Sequence, residues 1–169
     1  MIGNIEVRKL AMNSMFVSIG IVLATISNFR IPFFSFFKLD FSDIPVFVST
    51  LMFGGLNGFA NLFAISIIRL LTGDTVSIMT FLMRMSSSII ILFLHIYRKK
   101  QKYFFIFSIV AVILLVIIRL PLSYYFWVYF RHVPEDVFFS QMRITIIVLT
   151  FTRAILNLSI AKMIFCRII

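Results

Sequence analysis

Along its length the chain alternates long apolar runs with short polar interruptions. The first run covers residues 10–29, directly after Arg8 and Lys9. A loop over residues 30–44 follows, bounded by Pro32 and Pro45 and crowded with Phe33, Phe34, Phe36, Phe37 and Phe41. The second run opens at Pro45, which a first helical turn tolerates, and stops at the turn signal Gly54-Gly55-Leu56-Asn57-Gly58. Four more runs cover residues 59–71, 76–97, 103–130 (expected to be interrupted by Pro121) and 141–165. Between them lie Thr72-Gly73-Asp74-Thr75, Arg98-Lys99-Lys100-Gln101-Lys102 and His132-Val133-Pro134-Glu135-Asp136. Apolar runs near 20 residues suit membrane-spanning helices, whereas a barrel would need short alternating segments. The pattern predicts an all-α membrane protein. It would be a bundle of about six transmembrane helices forming one domain over residues 1–169; four or five spans stay open, because the second and third runs are short.

Composition sharpens this picture. The chain is 62% hydrophobic, with 22 Phe and six acidic residues among 169, and its mean hydropathy is +1.10. A soluble domain carries a far lower apolar share. The net charge of +10 does not point to nucleic acid, because the basic residues stand singly between apolar spans rather than on one face. They set orientation instead. With the N-terminus inside, inner segments hold Arg8, Lys9, Arg98, Lys99, Lys100, Lys102, Lys162 and Arg167 against Glu6. The outer loops then hold Asp40, Asp43, Asp74, Glu135 and Asp136, as the positive-inside rule expects. Both termini are therefore expected in the cytoplasm. No small-residue cleavage site ends the first run, so a retained first helix is expected.

Candidate chemistry concentrates in a few places. Lys38-Leu39-Asp40-Phe41-Ser42-Asp43-Ile44-Pro45 is a doubly acidic island between apolar spans, either an aqueous loop or the rim of a binding site. Its acids have three readings: contact with a ligand, pairing with Lys38, or capping of the next helix. Capping by Asp43 is the expected one. Arg69, Arg84, Arg119 and Arg153 fall within spans, where a cation costs about 2.5–3.5 kcal/mol on insertion scales. Each either snorkels or pairs with a loop carboxylate, or lines an outward-facing polar cavity. Thr80, Thr145, Thr150 and Asn157 add neutral polarity. Tyr124, Tyr125, Trp127 and Tyr129 read as an interface belt, with stacking on a flat ligand as the other use. In the first span, Ser14/Ser18 and Gly20/Ala24 place small residues four apart, a spacing that admits another helix backbone.

Enzyme signatures are missing: there is no phosphate loop, no His-Glu-x-x-His and no Ser/His/Asp set. His95 and His132 fall at opposite ends of the bundle, and the single Cys166 excludes an internal disulfide. No metal or cofactor is expected.

The segment Phe37-Lys38-Leu39-Asp40-Phe41-Ser42-Asp43-Ile44-Pro45, followed by Leu51-Met52-Phe53-Gly54-Gly55 and Gly58, resembles the substrate-binding S component of energy-coupling factor (ECF) vitamin transporters, riboflavin-type subgroup. The resemblance extends over essentially the full length. It implies a bacterial plasma-membrane subunit that captures a water-soluble vitamin from outside. It also implies delivery through a transmembrane coupling subunit driven by two cytoplasmic ATPases, which would use the ATP. The loop after the first helix would cap the vitamin, with walls from helices four to six. Substrate contacts would then come from Phe37, Leu39, Asp40, Phe41, Arg84, Arg119, Tyr124, Thr150, Arg153 and Asn157. Ser14 and Ser18 match the docking motif, with Gly20 and Ala24 extending that face. The subgroup's Asn-x-x-Lys pair in helix six corresponds to Thr150 and Arg153, and an Asn of helix five to Arg119. The loop favours riboflavin, while the arginines keep pantothenate, or a pyridoxine or thiamin-precursor compound, as alternatives. A non-binding assembly subunit is the alternative of another class.

Overall fold

The computed structural model describes residues 2–26, 29–31, 34–72, 78–99 and 103–168. The chain folds as α1 (Ile2–Ile26), a hairpin of β1 (Phe29–Ile31) and β2 (Phe34–Leu39), α2 (Asp43–Phe53), α3 (Gly55–Leu71), α4 (Ile78–Met85), α5 (Ser88–Lys99), α6 (Phe104–Tyr124), α7 (Glu135–Val137) and α8 (Arg143–Ile168). Wider π-helical turns extend α6 over Tyr125–Phe130 and join α7 to α8 over Phe138–Met142.

Among the described residues, three stretches are long and apolar enough to cross a membrane: Glu6–Ile26, Phe104–Tyr129 and Glu135–Ile168. The helices between them are shorter. Alpha2 has 11 residues, roughly 16 Å of rise, and α3 has 17, roughly 25 Å. The run expected as one span over residues 76–97 is broken at Ser86–Ser87. There the Ser86 hydroxyl donates to Met83 O at 2.6 Å and Ser87 N reaches only to Arg84 O at 3.0 Å. Serine hydroxyls compete with the helical ladder in this way. Among the described residues the structure therefore gives three helices long enough to cross a membrane and four shorter ones, α2 to α5, between the first two of them, where about six spans were expected.

Two other boundaries differ from the sequence reading. The turn between α2 and α3 is a single residue, Gly54, at φ 104 and ψ 174, a backbone region open to glycine alone. Alpha3 then starts at once, and Gly58 lies inside it because a Cβ there would overlap Thr50 Oγ1. The two helices can thus lie backbone against backbone. Pro121 does not interrupt α6, which continues to Tyr124 before its turns widen. The loop after α1 holds an antiparallel hairpin in which Phe29 pairs with Leu39 and Arg30 with Lys38, consistent with its aromatic content.

The core is built around α2. Every residue from Asp43 to Leu51 is buried, because α2 packs against α1, α3, α5 and α8. Val46, Phe47, Val48 and Leu51 meet Leu62 and Ile65 of α3, Ile90, Ile91 and Leu94 of α5, and Ala154, Leu158 and Ala161 of α8. The outer faces are also greasy: Leu10, Met15 and Val22 of α1, Phe105 and Ile117 of α6, and Ile144 and Val148 of α8 are exposed. An apolar shell of this extent on a small protein fits lipid rather than water.

Candidate functional site: a buried arginine–aspartate cluster

The site is built on the four residues that lead into α2. Asp40 Oδ1 accepts from the Ser42 backbone N–H at 2.9 Å, an Asx turn that reverses the chain after the hairpin. Ile44 N donates to Phe41 O at 3.1 Å and closes the same turn. The other oxygen, Oδ2, is thereby aimed inward. It accepts from Arg69 Nη1 of α3 and from Arg84 Nη1 of α4 at 3.0 Å, with Arg153 Nη2 of α8 at 3.4 Å.

Asp43 occupies the first turn of α2, where a carboxylate also suits the helix dipole. Its Oδ2 accepts from Arg153 Nη2 at 2.9 Å, and Arg84 Nη2 stands 3.5 Å from Oδ1. Arg84 Nη2 donates in addition to Ser42 Oγ at 2.6 Å, and Asn157 Nδ2 of α8 donates to Asp40 O at 3.1 Å. The expected capping role of Asp43 is corrected. The N-cap position falls to Ser42, which makes no side-chain cap because its hydroxyl accepts from Arg84 Nη2, and Asp43 lies inside the first turn.

The cluster is largely out of solvent, with Arg84 only 6% exposed and Asp43 4%. Burial alone would push the Asp40 carboxyl up, but Arg153, Arg84 and Arg69 together hold it well below the ordinary carboxylate range. It is therefore an anion at any physiological pH. Among the described residues, four polar atoms of the cluster are buried without a hydrogen-bond partner: Asp43 Oδ1, Arg84 Nε, Arg153 Nε and Asn157 Oδ1.

Of the residues expected to contact substrate, the structure brings Asp40, Arg84, Arg153 and Asn157 into this one cluster. Arg119 of α6 stands beside it, its Nε donating to Ser86 Oγ at 3.0 Å and its Nη2 to Ser87 Oγ at 2.9 Å. Thr150 is buried on α8 one turn before Arg153, and Phe41 packs half-buried against the core. Phe37 and Leu39 belong to β2, with side chains outside the described residues. Tyr124 is not part of the cluster: its hydroxyl donates to Glu135 Oε1 at 2.9 Å, and its ring packs on Phe138 and Phe139.

The small-residue face of α1 needs a correction. Ser14 and Ser18 are exposed and donate to their own helix at Leu10 O and Ser14 O. Gly20 and Ala24 are buried, and a Cβ at Gly20 would run into Ile65 of α3. At 100° per residue the two pairs point to different faces. Only the serine pair is left facing outward.

Sequence reasoning missed three contributors: Ser42, Ser86 and Ser87. Their signal was available in the polar triplet Ser86-Ser87-Ser88 inside an apolar run and in the serine between two acids. Among the described residues no group of His, Cys, Asp and Glu could hold a metal ion. A family model for the substrate-specific component of ECF transporters matches residues 8–169. No curated protein matches the chain.

Proposed function

The chain belongs to the family of ECF transporter substrate-specific components, substrate-binding subunits of transporters rather than enzymes, and from that premise we propose that it binds a water-soluble vitamin. It does so from the outer side of a bacterial plasma membrane, with both termini in the cytoplasm and the helices arranged as a multi-pass bundle. It hands its cargo to a transmembrane coupling subunit powered by two cytoplasmic ATPases. The exposed Ser14/Ser18 face of α1 is the proposed contact with that coupling subunit, since small residues let helix backbones approach.

The observation that carries this reading is the set of unsatisfied polar atoms in the arginine–aspartate cluster. Arg84 Nε, Arg153 Nε and Asn157 Oδ1 are buried yet lack a hydrogen-bond partner among the described residues, and buried polar groups in folded proteins are otherwise hydrogen-bonded. Ionisable residues at membrane depth are expensive and mark substrate sites by default. The likeness of the Asp40–Pro45 loop favours riboflavin as cargo. The arginines favour a cargo with an acidic group, such as pantothenate, and keep a pyridoxine or thiamin-precursor compound in the panel.

Titration of the purified chain with a panel of vitamins, followed by calorimetry and by flavin fluorescence, is expected to show one ligand bound at submicromolar level. Absence of heat and fluorescence change across the panel would overturn the reading. A purely structural subunit predicts something else. Arg119→Ala and Arg153→Ala would then lower the yield of the assembled complex and leave vitamin uptake per complex unchanged.

A further inference from the structure

The charge of the cluster does not balance. Among the described residues, the guanidinium groups of Arg69, Arg84, Arg119 and Arg153 gather around only two carboxylates, Asp40 and Asp43. Asp74 lies outside the described residues, and one further carboxylate would still leave the cluster cationic.

The arginines do not share that excess evenly. Arg84 and Arg153 each stand within ion-pair distance of both aspartates, and Arg69 pairs with Asp40. Arg119 forms no ion pair with any described residue. Its Nε and Nη2 donate to the hydroxyls of Ser86 and Ser87, which fix the guanidinium plane without neutralising it. Its Nη1 donates to no described residue, so the Nη1–Nη2 edge of the fork is unspent. That edge has the spacing that accepts two oxygens of one acid. A half-buried cation beside other cations is costly until an anion joins it.

Resting on the vitamin-binding reading above, we infer that the cargo carries an acidic group, a carboxylate or a phosphate, and that Arg119, set in place by the Ser86–Ser87 break between α4 and α5, is the residue that binds it. Arg84 and Arg153 are largely consumed by the aspartates that tie down the loop. Arg119 is the guanidinium whose charge the protein leaves to the ligand.

The same chemistry could come from a phospholipid headgroup, so the experiment separates the two. The full-length chain in neutral detergent is titrated calorimetrically with two matched pairs: riboflavin against riboflavin 5′-phosphate, and pantothenol against pantothenate. In at least one pair the acid is expected to bind about tenfold tighter or more, the gain of a charge-assisted hydrogen bond. Arg119→Gln is expected to bring that ratio to near one, and Arg119→Lys, which keeps the charge but loses the fork, to retain part of it. Melting temperature without ligand identifies a variant that has failed to fold. In that case the wild-type ratios and the Lys variant carry the test.

Equal affinity for the acid and neutral members of both pairs overturns the assignment and leaves vitamin binding standing. So does failure of the acids to bind while a neutral vitamin binds. Failure of the entire vitamin panel removes both proposals together. In phosphatidylcholine nanodiscs with and without phosphatidylglycerol, Arg119-dependent stabilisation by the anionic lipid, with no acid preference among the solutes, assigns the guanidinium to a headgroup and overturns the cargo assignment.

Discussion

At the N-terminal end of α2, Asp40 and Asp43 meet three arginines; towards its other end, Ser49 meets Asn13 of α1 and Asn61 of α3, and no charge takes part. Asn13 Oδ1 accepts from Ser49 Oγ at 3.1 Å and from Asn61 Nδ2 at 3.3 Å, while Asn13 Nδ2 donates to Asn57 Oδ1 at 2.8 Å. This neutral network leaves none of its buried side-chain atoms without a partner, whereas the charged one leaves several. It also joins only the first three helices, while the charged cluster ties α2 to α3, α4 and α8, up to 117 residues away. A satisfied polar network rigidifies a core. One that spans distant helices and is left incomplete is built for something besides stability.

The strongest challenge to this contrast is Asp43→Ala, which leaves Arg153 and Arg84 with Asp40 as their one shared carboxylate. Removing one partner from a buried ion pair costs about 3–5 kcal/mol, or about 10 °C in melting temperature for a domain of this size. Thermal unfolding in detergent measures it. A loss under 2 °C would mean that the charged cluster does not hold the loop at all.

Asn61→Leu addresses the neutral side. It strands Asn13 and Ser49 and is expected to cost about 1–3 kcal/mol, less than Asp43→Ala, with the affinity for cargo within about twofold of wild type. A drop in affinity as large as that from Asp43→Ala would erase the division between a structural network and a ligand-directed one. Ser14→Leu and Ser18→Leu, exposed on α1 away from both networks, are expected to change the melting temperature by less than about 0.5 kcal/mol equivalent. They are expected to keep cargo binding and to abolish uptake by the assembled transporter, measured with labelled vitamin in cells. Loss of binding together with uptake would place those serines in the site rather than at a docking face.

How much of this was legible beforehand differs between the two networks for a physical reason. The helical, lipid-facing class follows directly from the apolar runs, and the ends of α3 and α8 fall close to where those runs stop. The acids of the loop and the deep arginines announced themselves too, because charge in an apolar span is rare enough to be informative. Their pairing was harder to see. Asp40 meets Arg84 across 44 residues and Asp43 meets Arg153 across 110, and no local pattern encodes such a separation. The break at Ser86–Ser87 was missed because serines inside apolar runs are ordinarily absorbed by their own helix, as Ser66 is by Leu62 O. The Asn13–Ser49–Asn61 network went unread because single asparagines in apolar runs carry no directional signal. The α1 stripe was over-read: pairs four apart were merged into one face, although the two-residue offset between Ser18 and Gly20 turns the helix by about 200°.

The smallest expected effect concerns pH, and it separates the networks most cleanly because only one of them contains a titratable group. The Asp40 carboxyl is held below its ordinary range by Arg153, Arg84 and Arg69 against the opposing effect of burial. A depressed folded-state value means that its stabilisation is complete above the unfolded value of about 3.9. That stabilisation fades only as pH falls below this value towards the folded one. The melting-temperature gap between wild type and Asp40→Asn is therefore expected to stay constant from pH 8 to about pH 5 and to narrow only under stronger acid. The gap between wild type and Asn61→Leu has no carboxylate to lose and is expected to stay constant throughout. Narrowing of the Asp40→Asn gap between pH 7 and 5 would show a carboxyl with an ordinary affinity for protons. The arginines would then be held by something other than Asp40, and the contrast between the two ends of α2 would have to be drawn without it.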